Sequence, residues 1–248
     1  MVHDLQHLQE NVWYRPCHPD KNRVEPAVGV VVGNDATILI DAGNSPRQAA
    51  AVITAVSKLH APPIRHIIYT HHHWDHTFGT FAYPEEVTII GHKRTRQIMA
   101  AMMNQPWNSD YLRSRIERNP NLILDWTDAD WQQFRLIPPH VTFAQPQALT
   151  LAGVTFHLAH VGGKHAADSI VVKIPKAGVA FLGDCYYPAP VYAGGNLQDP
   201  VDTVVLAHIL EDKIAIYVDG HKAPFTRRQL QRIVRSHRLV AGIGKNKD

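Results

Sequence analysis

The chain carries the sequence Thr70-His71-His72-His73-Trp74-Asp75-His76-Thr77-Phe78-Gly79 directly after an apolar run, Ile64 to Tyr69, which is typical of a buried strand. Four imidazoles and one carboxylate stand within six positions, from His71 to His76. This composition does not suit a packed core, because each unsatisfied buried polar group costs about 1–3 kcal/mol. A metal ion removes that cost, since imidazole nitrogen and carboxylate oxygen are preferred donors for zinc and similar ions.

The spacing divides these donors into two sets. Alternate side chains of an extended segment point the same way, so His71 and His73 can bind one ion while His72 faces elsewhere. Asp75 and His76 are adjacent and must diverge, which suits a second ion, as in two-metal hydrolytic sites with ions roughly 3.5–4 Å apart. The alternative is a chance histidine-rich loop in a chain with 17 histidines, but the aspartate and the preceding strand favour a metal site.

The pattern Thr-His-x-His-x-Asp-His after an apolar strand resembles the signature of the metallo-β-lactamase-fold superfamily. The resemblance implies an α/β fold, a four-layer αββα sandwich of two mixed β-sheets flanked by helices, with a metal site at one edge of the sheets. It runs over residues 24–222 and is specific for the fold and the metal site, but weak for the substrate. It also implies further ligands downstream.

The third histidine of the first ion is expected in a glycine-rich turn, and His165 matches it by position. The sequence departs from the family pattern at two neighbours, with Lys164 in place of glycine and Ala166 in place of threonine. His160 is the competing candidate. We favour His165 because it stands directly before Ala-Ala-Asp-Ser, as the resemblance implies.

Two more ligand segments end predicted strands. Asp184, after Gly183, matches the bridging carboxylate that touches both metals in the family. Cys185 should not also be a ligand, because consecutive side chains on a strand point in opposite directions. His221, after Gly220, matches the final ligand of the second ion.

The resemblance therefore assigns seven metal ligands and two supporting carboxylates. The predicted ligands are His71, His73 and His165 for the first ion, Asp75, His76 and His221 for the second, and Asp184 between them. Asp41 is expected behind the metal loop, although an aspartate before a helix is also a common turn or cap residue. Asp168 is expected to stabilise the loop that carries His165.

Composition limits the class of protein. The chain has 248 residues, 45% of them hydrophobic, and a net charge of +3, which gives no strong case for nucleic acid. No stretch approaches the ~20 apolar residues of a membrane span, and the N-terminus lacks the apolar run of a secretory signal. Cys17 and Cys185 are predicted to be free thiols. We expect a cytoplasmic protein that acts on a small molecule; its oligomeric state is left open, with a dimer as one option.

We expect one domain, residues 1–248, with a helical and aromatic insertion at about residues 93–140. Long insertions of this kind are often lids or binding loops, but the aromatic residues would equally serve to anchor a long connection. A strand–helix–strand unit, with the helix starting at Ser45-Pro46, predicts a parallel crossover. Further expected elements are an edge strand within residues 1–15 and helices over residues 108–118, 128–133, 200–213 and 226–239.

The predicted function is a dinuclear zinc hydrolase, with iron or manganese as alternative metals. A metal-bridging hydroxide would attack the carbonyl of an ester, a lactone or a β-lactam. Asp75 would shuttle the proton, and Tyr186 or Tyr187 would donate a hydrogen bond to a developing oxyanion, although packing is the plainer role for each tyrosine. Iron-dependent redox chemistry on the same fold, a phosphodiesterase and a non-catalytic binding protein are the alternatives. The full set of expected ligand types speaks against the last.

Overall fold

The computed structural model of the chain describes residues 4–20, 22–107, 110, 125–190, 194–196, 198–210 and 213–243. Its first sheet has seven strands in sequential order. These are β1 (Gln6–Gln9), β2 (Val12–Arg15), β3 (Val28–Val32), β4 (Thr37–Ile40), β5 (Ile64–Ile68), β6 (Thr88–His92) and β7 (Val141–Phe143). Strands β1 to β4 pair antiparallel and β4 to β7 pair parallel, so the sheet is mixed.

The second sheet has six strands in the order β13-β12-β11-β10-β9-β8. They are β8 (Gln147–Leu151), β9 (Val154–His160), β10 (Ile170–Ile174), β11 (Val179–Gly183), β12 (Ile216–Asp219) and β13 (Phe225–Thr226). The pair β11–β12 is parallel and the other pairs are antiparallel. This sheet is therefore mixed as well, as the sequence predicted.

Helices cover the outer faces of both sheets. The described residues form the helices α1 (Pro46–Lys58), α2 (Trp74–Thr77), α3 (Lys93–Met102), α4 (Asp128–Gln133), α5 (Thr203–Ile209) and α6 (Arg227–Ile243), with 3-10 turns at Phe78–Ala82 and Pro175–Ala177. Of these, α1, α3, α5 and α6 cover the outer faces. Helix α1 begins as predicted, because the Ser45 hydroxyl accepts a hydrogen bond from the Gln48 backbone N–H and Pro46 occupies the first turn. Strands β4 and β5 on either side of it are parallel, which confirms the predicted crossover.

Three hydrophobic clusters define four layers. The central cluster lies between the sheets and draws on both of them. The second joins α1 and α3 to the first sheet, and the third joins α5 and α6 to the second sheet. Neighbouring residues of β10 illustrate the alternation of a strand buried on both faces, since Val172 belongs to the central cluster and Val171 to the outer one. The predicted αββα sandwich is confirmed.

Gly29 of β3 packs against the ring of Phe181 from the second sheet. A Cβ at this position would stand 2.5 Å from Cε1 of Phe181 and 2.9 Å from Cβ of Ile40. We expect Gly29→Ala to lower the free energy of unfolding by about 1–3 kcal/mol, as overpacked cores do. Urea denaturation measures this loss, and adding Phe181→Leu should restore part of it in a double-mutant cycle. A Gly29→Ala chain as stable as the wild type would contradict this account of the packing.

Several boundaries differ from the sequence predictions. The N-terminal segment forms two strands, β1 and β2, rather than one edge strand, because residues 10–11 make a tight turn in which Glu10 has a φ of 49°. Among the described residues of the helix expected over 200–213, only the seven of α5 are helical, and strand β13 was not predicted. Helix α4 is confirmed, whereas the helix expected over 108–118 lies almost entirely outside the described residues. The domain extent and the lid over residues 93–140 stay predictions.

Among the helices of the described residues, none combines the length and the apolar character that a membrane crossing requires. The two cysteines are free, as predicted, with Cys185 fully buried.

Candidate metal centre

Four chain segments converge at one edge of the two sheets. The first follows β5 and carries His71 and His73, and the backbone of His73 is extended where α2 begins at Trp74. Asp75 and His76 therefore lie in a helical turn. The other segments are the loop after β9, the end of β11 and the end of β12, and they carry the three downstream predicted ligands, His165, Asp184 and His221.

The side chains form two groups in which all the donor atoms lie within 4.8 Å of one another. The histidine group consists of His71, His73 and His165, and the mixed group consists of Asp75, His76, Asp184 and His221. Within the histidine group the His73 ring centroid lies 4.5 Å from that of His71 and 4.6 Å from that of His165. All seven predicted ligands are thus brought together in the division that the sequence suggested.

Asp184, a member of the mixed group, also reaches the histidine group. Its Oδ2 is 3.2 Å from Nε2 of His165 and 3.1 Å from Nε2 of His221, and its Oδ1 is 3.5 Å from Nε2 of His76. Asp75, the second carboxylate of the mixed group, has its Oδ2 3.2 Å from Nε2 of His221. The position of Asp184, close to histidines of both groups, is the one that a carboxylate shared by two ions requires.

Several of these donors are buried without a hydrogen-bond partner among the described residues. They are the Nε2 atoms of His71, His76 and His165 and the Oδ1 atom of Asp184. Leaving four such atoms unsatisfied would be costly, at about 1–3 kcal/mol each. A divalent ion coordinated by imidazole and carboxylate satisfies them, so the donor set fits a metal of the zinc type.

Asp41 orients the metal loop from behind. Its Oδ1 accepts a hydrogen bond from the Thr70 backbone N–H at 2.7 Å, and its Oδ2 accepts from the Thr70 hydroxyl at 2.8 Å and from Nδ1 of His76 at 2.7 Å. The Thr70 hydroxyl in turn lies 3.0 Å from Nδ1 of His71. With both Nδ1 atoms engaged, the Nε2 atoms of His71 and His76 face the centre as metal donors.

Asp168 ties two ligand-bearing loops together without touching a predicted ligand. Its Oδ1 lies 2.8 Å from Nδ1 of His72, the histidine that the alternation placed away from the first ion. Burial alone would raise the pKa of Asp168, but the hydrogen bond and charge of His72 hold that pKa below its ordinary value. The loop of residues 71–73 is thereby linked to the loop that carries His165.

Burial lowers the pKa values of two buried histidines, His71 and His73, whereas neighbouring carboxylates raise those of His76 and His221. Burial holds the pKa of His71 well below its ordinary value and lowers the pKa of His73 to about 3. Burial would also lower the pKa of His76 and His221, but the surrounding carboxylates raise it, to about 10 for His221. Burial alone would raise the pKa of Asp184, yet His221 and His76 hold it well below its usual range. His71 and His73 are therefore neutral imidazoles, and they lie beside an ionised Asp184 carboxylate.

Glycine is required at two strand ends next to the ligands. Gly183 has a φ of 49°, and a Cβ there would stand 2.4 Å from Oγ1 of Thr70. At Gly220 a Cβ would stand 2.1 Å from Oδ1 of Asp184. Both glycines thus let the backbone approach the centre closely enough for Asp184 and His221 to enter it.

The two tyrosines beyond the predicted bridge point their hydroxyls to one carboxylate. Both Tyr186 and Tyr187 donate to Asp219, the last residue of β12. Burial and the nearby carboxylate raise the pKa of each phenol, so both stay protonated donors. The Tyr187 ring lies beside the rings of His165 and His221, at centroid distances of 5.8 and 6.2 Å. Sequence reasoning gave Asp219 no role; its position at a strand end directly before Gly-His was the available signal.

The remaining candidates from the sequence lie outside both groups. His160, the competitor of His165, directs Nε2 to the Ala167 carbonyl at 2.9 Å and stacks on His92 with a centroid distance of 4.2 Å. His92 caps α3 by accepting a hydrogen bond from the Arg94 backbone N–H. Cys185 belongs to the outer cluster of the second sheet rather than to the centre.

The chain belongs to the metallo-β-lactamase superfamily, whose family model it matches over residues 23–221. Members of this superfamily are mostly metal-dependent hydrolases. Among curated proteins, no sequence gives a significant match. The membership confirms the resemblance on which the downstream ligand predictions depend.

Solved structures share the fold at low sequence identity. A metallo-β-lactamase from Pontibacter korlensis is 18% identical with a TM-score of 0.62, covering 94% of this chain and 97% of its own. The metallo-β-lactamase FIM-1 from Pseudomonas aeruginosa, in its mono-zinc form, is 17% identical with a TM-score of 0.64 and coverages of 93% and 92%. A stereoselective inverting sec-alkylsulfatase from Pseudomonas sp. is 14% identical with a TM-score of 0.71; the match covers 94% of this chain but 40% of the sulfatase. These identities support a common fold alone.

Proposed function

We propose that this chain is a dinuclear zinc hydrolase that opens a bond at the carbonyl of an ester, a lactone or a β-lactam in a small-molecule substrate. The observation that carries the proposal is the position of Asp184, whose Oδ2 lies 3.2 Å from His165 of the histidine group and 3.1 Å from His221 of the mixed group. One carboxylate within reach of both donor sets is the arrangement that two closely spaced ions need.

Each donor group would bind one of the two ions. His71, His73 and His165 would hold the first ion, Asp75, His76 and His221 the second, and Asp184 would contact both. When bound, zinc lowers the pKa of a water molecule to about 7 and polarises a carbonyl oxygen.

Asp75 is the proposed proton carrier. Burial alone would raise the pKa of this carboxylate, but the imidazoles of His76 and His221 hold the pKa below its ordinary value, so the carboxylate is ionised at neutral pH. In that form it accepts a proton from the attacking water and returns it to the leaving group. Tyr187 would act as an oxyanion donor only if its hydroxyl left Asp219, so its more direct role is in holding that aspartate.

The first test is elemental analysis of the purified full-length chain. We expect two zinc ions per chain, and we expect His71→Ala to reduce the zinc content, because Nε2 of this residue is buried and has no hydrogen-bond partner among the described residues. His157→Ala is the matched control, since His157 is an exposed histidine of β9 outside both donor groups. One iron per chain in place of zinc would favour redox chemistry.

The second test is turnover of a panel of chromogenic substrates before and after chelation. The panel holds an aryl ester, a lactone, a β-lactam and a phosphodiester, and a sec-alkyl sulfate is added because a sulfatase shares the fold. We expect chelator-sensitive hydrolysis of one of the three carbonyl substrates, restored by zinc. Turnover of the phosphodiester or the sulfate alone, or hydrolysis that survives chelation, would contradict the proposal.

A further inference from the structure

We infer that Asp219 is a positioning residue that holds His221 in place to bind metal, through a clamp formed by Tyr186, Tyr187 and Asp219. The inference rests on the proposed function, because it assigns these residues a role toward the ion of the mixed group. Neither tyrosine is thereby a catalytic residue.

The contacts of Asp219 converge on one carboxylate. Its Oδ1 accepts a hydrogen bond from the His221 backbone N–H at 2.8 Å and another from the Tyr187 hydroxyl, while its Oδ2 accepts from the Tyr186 hydroxyl. The side chain has no exposed surface, and among the described residues no basic group forms an ion pair with it. Burying a carboxylate without a counter-charge is costly unless its hydrogen bonds are made. The three donors therefore have fixed positions relative to this aspartate.

His221 needs an anchor of this kind more than the other ligands do. Its side chain is 26% exposed, whereas those of Asp184 and His76 are 4% and 0% exposed. The preceding residue, Gly220, has no side chain that would hold the turn, and the following residue, Lys222, is exposed. Hydrogen bonds from the Ala27 N–H and to the Gly183 carbonyl hold the backbone of Gly220. The hydrogen bond from the His221 N–H to Asp219 adds an anchor at the residue that carries the imidazole.

The clamp also connects His221 to the rest of the centre. The segment of residues 184–188 begins with the shared carboxylate, Asp184, and ends at Pro188, whose carbonyl oxygen lies 3.1 Å from Nδ1 of His165. Tyr186 and Tyr187 lie within this segment and reach Asp219 on β12. The clamp therefore joins the segment that contacts the histidine group to the turn that presents His221.

The test compares zinc affinities of full-length variants by titration against a competing chromophoric chelator. We expect Asp219→Asn to weaken the binding of one of the two zinc ions about 10–100-fold, as lost supporting contacts do, and we expect this to be the same ion whose binding is lost in His221→Ala. An asparagine has the same size but only one acceptor oxygen for the three donors. His221→Ala provides the reference for a chain without this ligand, and Tyr187→Phe should shift the affinity in the same direction by less.

Tyr217→Phe is the matched control, because it removes a buried phenol from the same strand, β12, outside the clamp. The inference would be overturned if both Asp219→Asn and Tyr187→Phe bound zinc as tightly as the wild type. In that case these variants would lose only thermal stability, as the control does. If Asp219→Asn does not fold, Tyr187→Phe decides. A wild-type chain that binds two zinc ions but hydrolyses no substrate contradicts the proposed function alone. A wild-type chain that binds fewer than two overturns both.

Discussion

Replacing Asp184 with alanine is expected to strip metal from the centre and to lower kcat/KM by at least about a thousand-fold. The carboxylate lies 3.1–3.5 Å from the Nε2 atoms of three imidazoles, His76, His165 and His221. It thus belongs to the mixed group and also reaches a member of the histidine group. A thousand-fold loss corresponds to about 4 kcal/mol of transition-state stabilisation. That is the size expected when metal-assisted charge stabilisation is removed.

Metal content and turnover must be measured on the same preparations of the Asp184 variant. Asp184→Asn tests charge separately from shape, because it keeps the volume of the side chain and still loses an anionic donor. Asp35→Ala is the matched control, since Asp35 is an exposed aspartate in the turn between β3 and β4. Full activity with a normal metal content in Asp184→Ala would refute the bridging role.

The local part of the centre was predictable from spacing alone. An extended segment places His71 and His73 on one side and His72 on the other, and the structure has His72 bound to Asp168. The downstream ligands were not predictable from spacing, because no local rule brings His165 or Asp184 to this loop. Their assignment depended on the family resemblance, and the structure places Nε2 of His165 3.2 Å from Oδ2 of Asp184.

The parts that sequence reasoning missed depend on tertiary contacts. The direction of the Tyr187 hydroxyl is set by Asp219, which approaches only because β11 and β12 pair in parallel. The short strand β13 is likewise defined by its partner β12 rather than by its own two residues. In the same way, Leu210 continues the apolar pattern of α5, although the helix ends at Ile209. Periodicity finds the elements, but a partner strand or a buried carboxylate decides their ends and their side-chain directions.

Replacing Asp41 with alanine is expected to lower the free energy of unfolding by about 3–5 kcal/mol, the loss typical of breaking a buried charged network. Two donors of Thr70 and the Nδ1 of His76 would lose their acceptor in the core of the metal loop. The backbone adds to the cost, because Asp41 has a φ of 65°, and alanine in this left-handed region costs roughly 1–2 kcal/mol.

Asp41→Asn separates these two contributions to stability. Asparagine tolerates the left-handed backbone and keeps one acceptor oxygen, so we expect a folded chain with a smaller loss of stability. Its amide no longer holds Nδ1 of His76 as a carboxylate does, so zinc affinity should fall about 10–100-fold. Urea denaturation and zinc titration of both variants measure the two effects. An Asp41→Ala chain within about 1 kcal/mol of the wild type, a change typical of ordinary single substitutions, would show that the metal loop keeps its shape without this carboxylate.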